Sequence, residues 1–424
     1  MKLGKTVMIW ALAMGFATAS CGDKKKNVEV KETKQKIAKA TPIKSVKPDS
    51  KPGRTLLIAE STFKKNDKGK YVIPDMATML ILTNDGQRWK MEKIEDSDSN
   101  VFHKAAAYGN EGILTIGGNK AALKLWTKKD GKWSAKTLWS PTFGGKQNRL
   151  RDFEMADFNG DGINELAVAT HDQGVVAVIW HKDGQWKAEE IDRKTETFVH
   201  EIEIGDLDGD GKLEIYATPS QPNTASSHGQ GGGVNRYAWN GEKFVKSQVV
   251  SLEARHIKEI LVADVDGDGK QELYAALEAQ MGKDGNMEAP VEIRRFDWKD
   301  GKFVPTKVAT INDRFCRFLV AGDVDGDGAV ELIASAFSSG VWVIEKEGDH
   351  YTPTCIDSNS GGFEHSAYLA DMDADGKLEL YVADDKSGSV VGYTFKNGKY
   401  ESKVINKRLV PRQAMVWNIT VADL

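Results

Sequence analysis

DVDGDGKQE, at residues Asp264–Glu272, is one of five copies of a nine-residue pattern in this 424-residue chain. The other copies are DFNGDGINE (157–165), DLDGDGKLE (206–214), DVDGDGAVE (323–331) and DMDADGKLE (371–379). Each copy has oxygen-bearing side chains at positions 1, 3, 5 and 9, and glycine at position 6. Glycine tolerates the positive φ of a sharp reversal, and converging carboxylates suit a hard cation. Five copies in phase are poorly explained as solvated acidic turns.

The pattern therefore predicts about five Ca²⁺ sites, each completed by the backbone carbonyl of position 7. The predicted side-chain ligands are Asp157, Asn159, Asp161 and Glu165; Asp206, Asp208, Asp210 and Glu214; Asp264, Asp266, Asp268 and Glu272; Asp323, Asp325, Asp327 and Glu331; and Asp371, Asp373, Asp375 and Glu379.

The EF-hand is the obvious competing interpretation of these loops. Its loop ends in a glutamate at position 12 and lies between two helices. In this chain position 12 is always apolar, and the segments after the loops, such as ELAVAT and ELYAAL, are short and rich in strand-forming residues. Such runs directly after a glycine turn indicate strands, so each loop is predicted to join two antiparallel strands.

The loops recur every 48 to 59 residues, which is a period typical of propeller blades or solenoid repeats. A second signal, a hairpin followed by an aromatic residue, recurs at the same pace and occurs seven times, with Asp-Gly or Asn-Gly in six copies and Glu-Gly before Tyr351. Its aromatic residues are Trp89, Trp133, Trp186, Phe244, Phe303, Tyr351 and Tyr400. Together the two signals define repeats of four strands, which predicts an all-β, seven-bladed propeller.

The two ends of the repeat region predict how the ring closes. The first repeat, from Arg54, opens with LLIAES, which matches a second strand. The last residues, Ala414–Leu424, match an inner strand. We therefore expect the C-terminal strand to complete the first blade, because an open ring would leave free sheet edges.

Repeats with an inner strand, a DxDxDGxxE loop and an ELxxA strand resemble the FG-GAP/VCBS repeat family and the integrin alpha-subunit propeller. The resemblance covers about 370 residues and rests on the five loops. The first two repeats match only in the spacing of their strands. It implies a calcium-binding propeller, often found on cell surfaces, that binds proteins or glycans. Glutamate at position 9 replaces the aspartate common in integrins, and its longer arm still reaches the ion.

The N-terminal residues predict export and anchoring. Residues 1–21 have a lysine-bearing start, a short apolar stretch and small residues before Cys21, as in a lipoprotein signal peptide. Simple cleavage without lipidation is the alternative. Residues 22–53 carry ten lysines, four acidic residues and no aromatic residue, which predicts a flexible tether. The domain prediction is thus signal peptide 1–21, tether 22–53 and propeller 54–424, in a protein lipid-anchored in a bacterial cell envelope.

The chain's net charge is −4 despite the basic tether, so the propeller region is acidic, which argues against nucleic acid as a partner. The three cysteines cannot form a disulfide framework. Cys316 and Cys355 are predicted on the inner and outer strands of one blade, too far apart to pair.

No nucleophile with its base stands out in the sequence, so no catalytic residue is predicted. A basic or ionisable residue stands six positions before each loop: Arg151, His200, Lys258, Arg317 and His365. The spacing of the repeats places His103 and Trp417 at the equivalent position in the two repeats without an acidic loop. These residues are predicted to ring one mouth of the channel, opposite the cation loops. Two long loops, Thr218–Gly233 (with His228) and Glu278–Pro290, are predicted beside them, where binding usually resides. Neutralisation of the ring by neighbouring acids is the simpler interpretation.

These features favour a binding module for a protein or carbohydrate ligand on the face opposite the ions. The ligand-binding candidates are His103, Arg151, His200, Lys258, Arg317, His365 and His228. The basic ring favours an anionic ligand. The alternative is a lyase or hydrolase acting on acidic polysaccharide, with a histidine or lysine as base. A third interpretation is a scaffold for an envelope complex.

Overall fold

The computed structural model of the chain describes residues 54–85, 88–182, 185–222, 224, 228–408 and 413–423. Within these ranges, thirty strands form seven four-stranded antiparallel sheets and one additional two-stranded hairpin. One 3₁₀ turn spans Asn119–Ala121. The fold is therefore the all-β, seven-bladed propeller that the repeats predicted.

Each blade has an inner, a second, a third and an outer strand, in that order. Blades 1 to 3 consist of β30 (Ala414–Ala422), β1 (Thr55–Lys65), β2 (Tyr71–Asn84) and β3 (Trp89–Asp96); β4 (Phe102–Tyr108), β5 (Gly112–Gly117), β6 (Leu123–Lys129) and β7 (Lys132–Trp139); and β8 (Leu150–Ala156), β9 (Glu165–Thr170), β10 (Val176–Lys182) and β11 (Gln185–Asp192). Blades 4 and 5 consist of β12 (Phe198–Gly205), β13 (Glu214–Ser220), β14 (Gly232–Trp239) and β15 (Phe244–Leu252); and β16 (Ile257–Ala263), β17 (Glu272–Leu277), β20 (Val291–Lys299) and β21 (Lys302–Ile311).

Blades 6 and 7 consist of β22 (Cys316–Gly322), β23 (Glu331–Ala336), β24 (Gly340–Glu347) and β25 (His350–Asp357); and β26 (Ala367–Ala370), β27 (Glu379–Asp384), β28 (Ser389–Lys396) and β29 (Lys399–Lys407). The extra hairpin, β18 (Gln280–Met281) with β19 (Met287–Ala289), lies between the second and third strands of blade 5.

The C-terminal strand closes the ring as expected. Strand β30 pairs antiparallel with β1 and forms the inner strand of blade 1. Each inner strand also contacts the inner strands of both neighbouring blades, and β30 contacts β26 on one side and β4 on the other. The closure joins the last described strand to the first and leaves no gap in the ring of inner strands.

The core lies between the blades. Seven clusters of buried apolar side chains fill the seven boundaries between adjacent blades, one cluster for each boundary. The boundary between blades 7 and 1 contains Leu56, Tyr381 and Ile419, so the closing strand contributes to the core as well as to the sheet. Removal of apolar surface from water at these boundaries is the main stabilising term of the ring.

Cys316 lies on inner strand β22 and Cys355 on outer strand β25, and neither is in a disulfide. The predicted signal peptide, the lipidation site Cys21 and the tether lie outside the described residues. Among the residues that are described, there is no helix long and apolar enough to span a membrane.

Candidate functional site

The five acidic loops all connect an inner strand to the second strand of its blade. Position 9 of every loop is the first residue of that second strand, so the sheet fixes the backbone of the glutamate: Glu165, Glu214, Glu272, Glu331 and Glu379. In four loops this glutamate accepts a hydrogen bond from the backbone N–H of position 2, as from Met372 to Glu379 at 2.8 Å. The loop is thus tied to the strand that follows it.

The first aspartate of each loop organises the turn. In the blade 5 loop, Asp264 accepts backbone N–H bonds from Gly267 at 2.8 Å and Gly269 at 3.0 Å. Position 6 has a positive φ, between 84° and 94°, in all five loops, which is why glycine stands there. Position 4 is also left-handed, and in blade 7 it is Ala374, with φ 60°. The loops therefore share one backbone conformation that points the acidic side chains inward.

Carboxylates converge in four of the five loops. In blades 4, 5 and 7, oxygens from positions 1, 3, 5 and 9 all lie within 4.8 Å of one another, and blade 6 gathers Asp323, Asp325 and Glu331 in the same way. In blade 3 the amide of Asn159 replaces an acid, and its Nδ2 donates to Asp161 and Glu165, each at 3.2 Å. Several acidic clusters are therefore arranged so that they could hold a metal ion.

The chemistry of these residues fits a hard cation. Burial, with repulsion from neighbouring aspartates, raises the pKa of Glu165, Glu331 and Glu379 to about 7. Two buried ligand oxygens, Oδ1 of Asp206 and Oε1 of Glu379, have no hydrogen-bond partner among the described residues. An all-oxygen set with this charge is what Ca²⁺ prefers, and a bound cation would relieve the repulsion.

A second constellation lies at the opposite end of the inner strands. Six of these strands have a register irregularity there, at His103, Arg151, His200, Lys258, Arg317 and Trp417. A bulge leaves its extra residue outside the ladder and re-aims the side chain. Four of the five residues found by counting six positions back from a loop are therefore bulge residues, as are His103 and Trp417 at the equivalent positions of blades 2 and 1.

Two glutamates tie these bulge residues together. Glu364 accepts a bond from Arg317 Nη1 at 3.0 Å and from Arg151 Nη2 at 2.9 Å. Glu278 accepts from Arg317 Nε at 3.1 Å and lies 3.3 Å from Lys258 Nζ. We name the group of Arg151, Lys258, Arg317, Glu278 and Glu364 the channel cluster. It is buried: no member is more than 7% exposed.

The electrostatics of the cluster follow from burial. Burial lowers the pKa of Lys258 to about 8. Burial alone would raise the pKa of Glu278, but Lys258 and Arg317 hold it well below its usual range. Burial also keeps the pKa of His103 and His200 well below the usual value, so both imidazoles are neutral at pH 7. His200 Nδ1 lies 3.0 Å from His171 Nε2, while Arg151 stacks on Trp417 at 5.4 Å.

Blade 7 departs from the expected ring. His365 has a φ of 54°, and its ring hydrogen-bonds the Ala336 carbonyl at 2.5 Å and Ser360 Oγ at 2.8 Å. The residue before it, Glu364, contributes to the cluster instead. The expected base of blade 7 is therefore replaced by an acid, because the left-handed turn at His365 redirects the chain before β26 begins at Ala367.

The pairing by Glu278 and Glu364 supports a structural role for the basic residues, and their role in ligand binding stays a prediction. The sequence prediction did not include Glu278, which follows β17 directly at the start of the long loop of blade 5. The sequence could have indicated that Glu278 pairs with Lys258 only if the register between β16 and β17 had been known.

The two long loops contact each other on this face. The Nδ1 atom of His228, which is exposed, hydrogen-bonds the Met281 carbonyl at 2.8 Å, linking the loop of blade 4 to the extra hairpin of blade 5. A groove of about 680 Å³ lies between blades 3 and 4, beside the blade 4 loop. Its polar lining includes Lys194, Gln221, Lys246, Gln248, Ser251 and Glu253.

These features define a class: a seven-bladed β-propeller in which acidic loops link the inner and second strands of five blades. Residues 157–217 and 323–382 match the model of the FG-GAP-like repeat. The chain is therefore a propeller that contains FG-GAP-like repeats, as the loop pattern indicated. No curated protein sequence matches it.

Solved structures share the fold at low sequence identity. A candidate 6-phosphogluconolactonase from Bacteroides fragilis is 14% identical, with a TM-score of 0.53, over 88% of this chain and 99% of that one. A hypothetical selenium-binding protein from Sulfolobus tokodaii is 11% identical, with a TM-score of 0.55, over 88% and 94% of the two chains. At this level of identity the likeness concerns the fold alone.

Proposed function

We propose that this chain is a calcium-stabilised binding module that works outside the cytoplasm and takes a glycan or a protein segment on the face opposite the ion loops. The observation that carries the proposal is the groove between blades 3 and 4. Its volume of about 680 Å³ is in the range of ligand sites. It lies beside a long loop held on a rigid sheet, the usual location of binding residues.

The lining of the groove suits a polar ligand. Lys194, Gln221, Gln248 and Glu253 are exposed and offer both donors and acceptors. Asp192 is already engaged, since it accepts from Tyr237 Oη at 2.7 Å and from Lys246 Nζ at 2.6 Å. The groove therefore favours hydroxyl-rich or amide-rich ligands over apolar ones.

The calcium part of the proposal rests on the acidic loops and on the repeats matched to the FG-GAP-like model. Bound Ca²⁺ would stiffen the edges where inner and second strands meet. Placement in a bacterial envelope through a lipid on Cys21 rests on the N-terminal sequence alone. In that setting the propeller would present its groove to extracytoplasmic polymers or to envelope proteins.

The binding proposal is tested with the full-length protein and a panel of neutral and uronic-acid polysaccharides, measured by isothermal titration calorimetry in low and high salt. A pull-down from detergent-solubilised membranes tests protein partners. A variant with both Gln248→Ala and Lys194→Ala should weaken binding without changing the melting temperature. The matched control is Lys307→Ala, an exposed lysine on the outer strand of blade 5. Equal binding by both variants would place the site elsewhere.

The enzyme alternative has one supporting observation, the lowered pKa of Lys258 at about 8, which is suited to a general base near neutral pH. Against it, the lysine is 4% exposed and lies 3.3 Å from Glu278. The same polysaccharide panel decides between the two functions. Release of unsaturated or reducing sugar that Lys258→Met abolishes would establish an enzyme.

A further inference from the structure

An arginine reaches into the acidic loop of blade 4. Arg236, on β14, donates through Nη2 to Asp208 at position 3 and, at 2.5 Å, to Glu214 at position 9. Its guanidinium stacks on Trp298 of blade 5, with 5.1 Å to the ring centroid. The side chain is only 12% exposed. The arginine is therefore fixed between two predicted calcium ligands.

Blade 5 repeats the arrangement. Arg295, on β20, donates through Nη1 to Asp266 at 2.6 Å, and its Nη2 lies 3.6 Å from Glu272. Its Nε donates to Asp297, and Nη1 also lies 3.4 Å from Tyr351 Oη of blade 6. Two adjacent blades thus direct a permanent positive charge at the position 3 and position 9 carboxylates.

The strand register explains why two loops have this feature. Arg236 pairs with Tyr216 and Arg295 with Tyr274, each two residues beyond the position 9 glutamate. The corresponding third-strand residues are Val178 in blade 3, Val343 in blade 6 and Gly392 in blade 7. These residues have no charge, so the third strand brings no arginine to those loops from this position.

We propose that Arg236 and Arg295 are built-in counter-cations that make the loops of blades 4 and 5 weak calcium sites, leaving the loops of blades 3, 6 and 7 as the tight ones. The inference rests on the proposed calcium binding. Five loops of nearly identical sequence thus fall into two classes of calcium affinity. The residue that decides the class lies on the third strand of the blade and not in the loop itself.

The physical reason is competition for the same lone pairs. Arginine stays protonated at every physiological pH, and its charge-assisted bonds to carboxylates are strong. Ca²⁺ entering the blade 4 loop must displace the guanidinium from two ligands or accept its repulsion at short range. In blade 5, Asp297 gives Arg295 an alternative partner, so displacement there is easier. The blade 4 loop is therefore the weakest of the five.

In the test, the chelator-stripped full-length protein is titrated with CaCl₂, and isothermal titration calorimetry measures the binding. Wild type should show three tight sites and two that are weaker by about tenfold or more, as expected for one added positive charge near a divalent ion. Arg236→Leu should convert one weak site to a tight one, and adding Arg295→Leu should convert the second. Arg236→Gln, which keeps donors but removes the charge, serves if the leucine variant fails to fold.

The matched control is Arg294→Leu, which removes the same charge from β20 at a residue that pairs with Glu292 and not with a loop. It should leave all calcium affinities unchanged. Thermal unfolding gives a second readout: the rise in melting temperature on adding Ca²⁺ should be larger in the Arg236 and Arg295 variants than in the control. Five equal sites in wild type, or unchanged affinities in the folded variants, would overturn this inference alone. No calcium binding in wild type would overturn it together with the calcium proposal.

Discussion

Glu364 bridges Arg151 and Arg317, which belong to blades 3 and 6. Its two carboxylate oxygens each accept one guanidinium bond, at 2.9 Å and 3.0 Å, and the carboxylate is 1% exposed. Arg151 and Glu364 are 213 residues apart in the chain. One side chain thus links distant parts of the ring close to its axis.

Replacing Glu364 with glutamine should destabilise the protein by about 3–5 kcal/mol, because the buried guanidinium of Arg151 loses the carboxylate that it pairs with and Arg317 keeps only Glu278. Chemical denaturation of the full-length protein measures the change. The matched control is Glu347→Gln, at an exposed position at the end of β24, which should change stability by less than about 0.5 kcal/mol. If the two variants unfold alike, Glu364 does not hold the channel cluster together.

The sequence was sufficient for the architecture because local signals repeat in phase. Each Asp-Gly or Asn-Gly hairpin marks the turn between third and outer strands, and each acidic loop the turn between inner and second strands. The missing inner strand at Thr55 and the surplus strand ending at Ala422 together predicted the closure that β30 makes. These are short-range patterns, and short-range patterns are readable without a structure.

The functional sites were only partly predictable. The spacing of the repeats found the bulge residues of six blades, and neutralisation by neighbouring acids such as Glu364 was the simpler interpretation, but the sequence did not show that Glu278 takes part. Three of the four contacts that Glu278 and Glu364 make with the bulge residues cross blade boundaries, and His365 is redirected by a positive φ that non-glycine residues seldom adopt. Arg236 was missed for a similar reason: its place beside Glu214 depends on register across β13 and β14.

Ala374→Gly should stabilise the protein by about 1 kcal/mol. Ala374 has a φ of 60°, where a Cβ atom is strained, and the same position in the other four loops is glycine. Thermal unfolding in calcium-saturated buffer measures the effect. Ala329→Gly in the blade 6 loop, where φ is not positive, is the control and should be neutral or destabilising. A lower melting temperature for Ala374→Gly would contradict the strain at this position.

His365 should contribute a loss of stability as the pH drops below about 6.5. Burial lowers the pKa of His365 to about 4 in the folded protein, against about 6.5 when unfolded. The unfolded chain therefore binds the proton more readily between these values. The stabilisation that comes from neutral His365 is fully present above pH 6.5, and about 3 kcal/mol of it is lost by pH 4. Denaturation of wild type and His365→Asn from pH 7 to pH 4.5 should show a shallower loss in the variant. Parallel curves would exclude the effect.

Deleting residues 414–424 should open the ring and strongly destabilise it. The deletion exposes the edge of β1 and removes the buried side chains of Val416 and Ile419. Ile419→Ala is a milder variant that keeps the strand, and it should cost about 2–5 kcal/mol. Thermal unfolding with light scattering detects both the lower transition and aggregation through the free edge. A truncated chain that melts like wild type would mean that β30 is dispensable.

If the loops bind calcium as proposed, removal of calcium should lower the melting temperature, because the unfolded chain has no formed site for the ion. Excess chelator should produce the decrease and added CaCl₂ should reverse it.

The contacts of Arg236 and Arg295 with the loops of blades 4 and 5 make the prediction specific to individual loops. Asp323→Ala in blade 6 should remove one tight site from the titration, whereas Asp264→Ala in blade 5, where Arg295 already pairs with Asp266 and Glu272, should leave the number of tight sites unchanged. Equal losses in the two variants would show that the five loops bind alike. A chelator with no effect on melting in either variant or in wild type would show that the ring is stable without an ion.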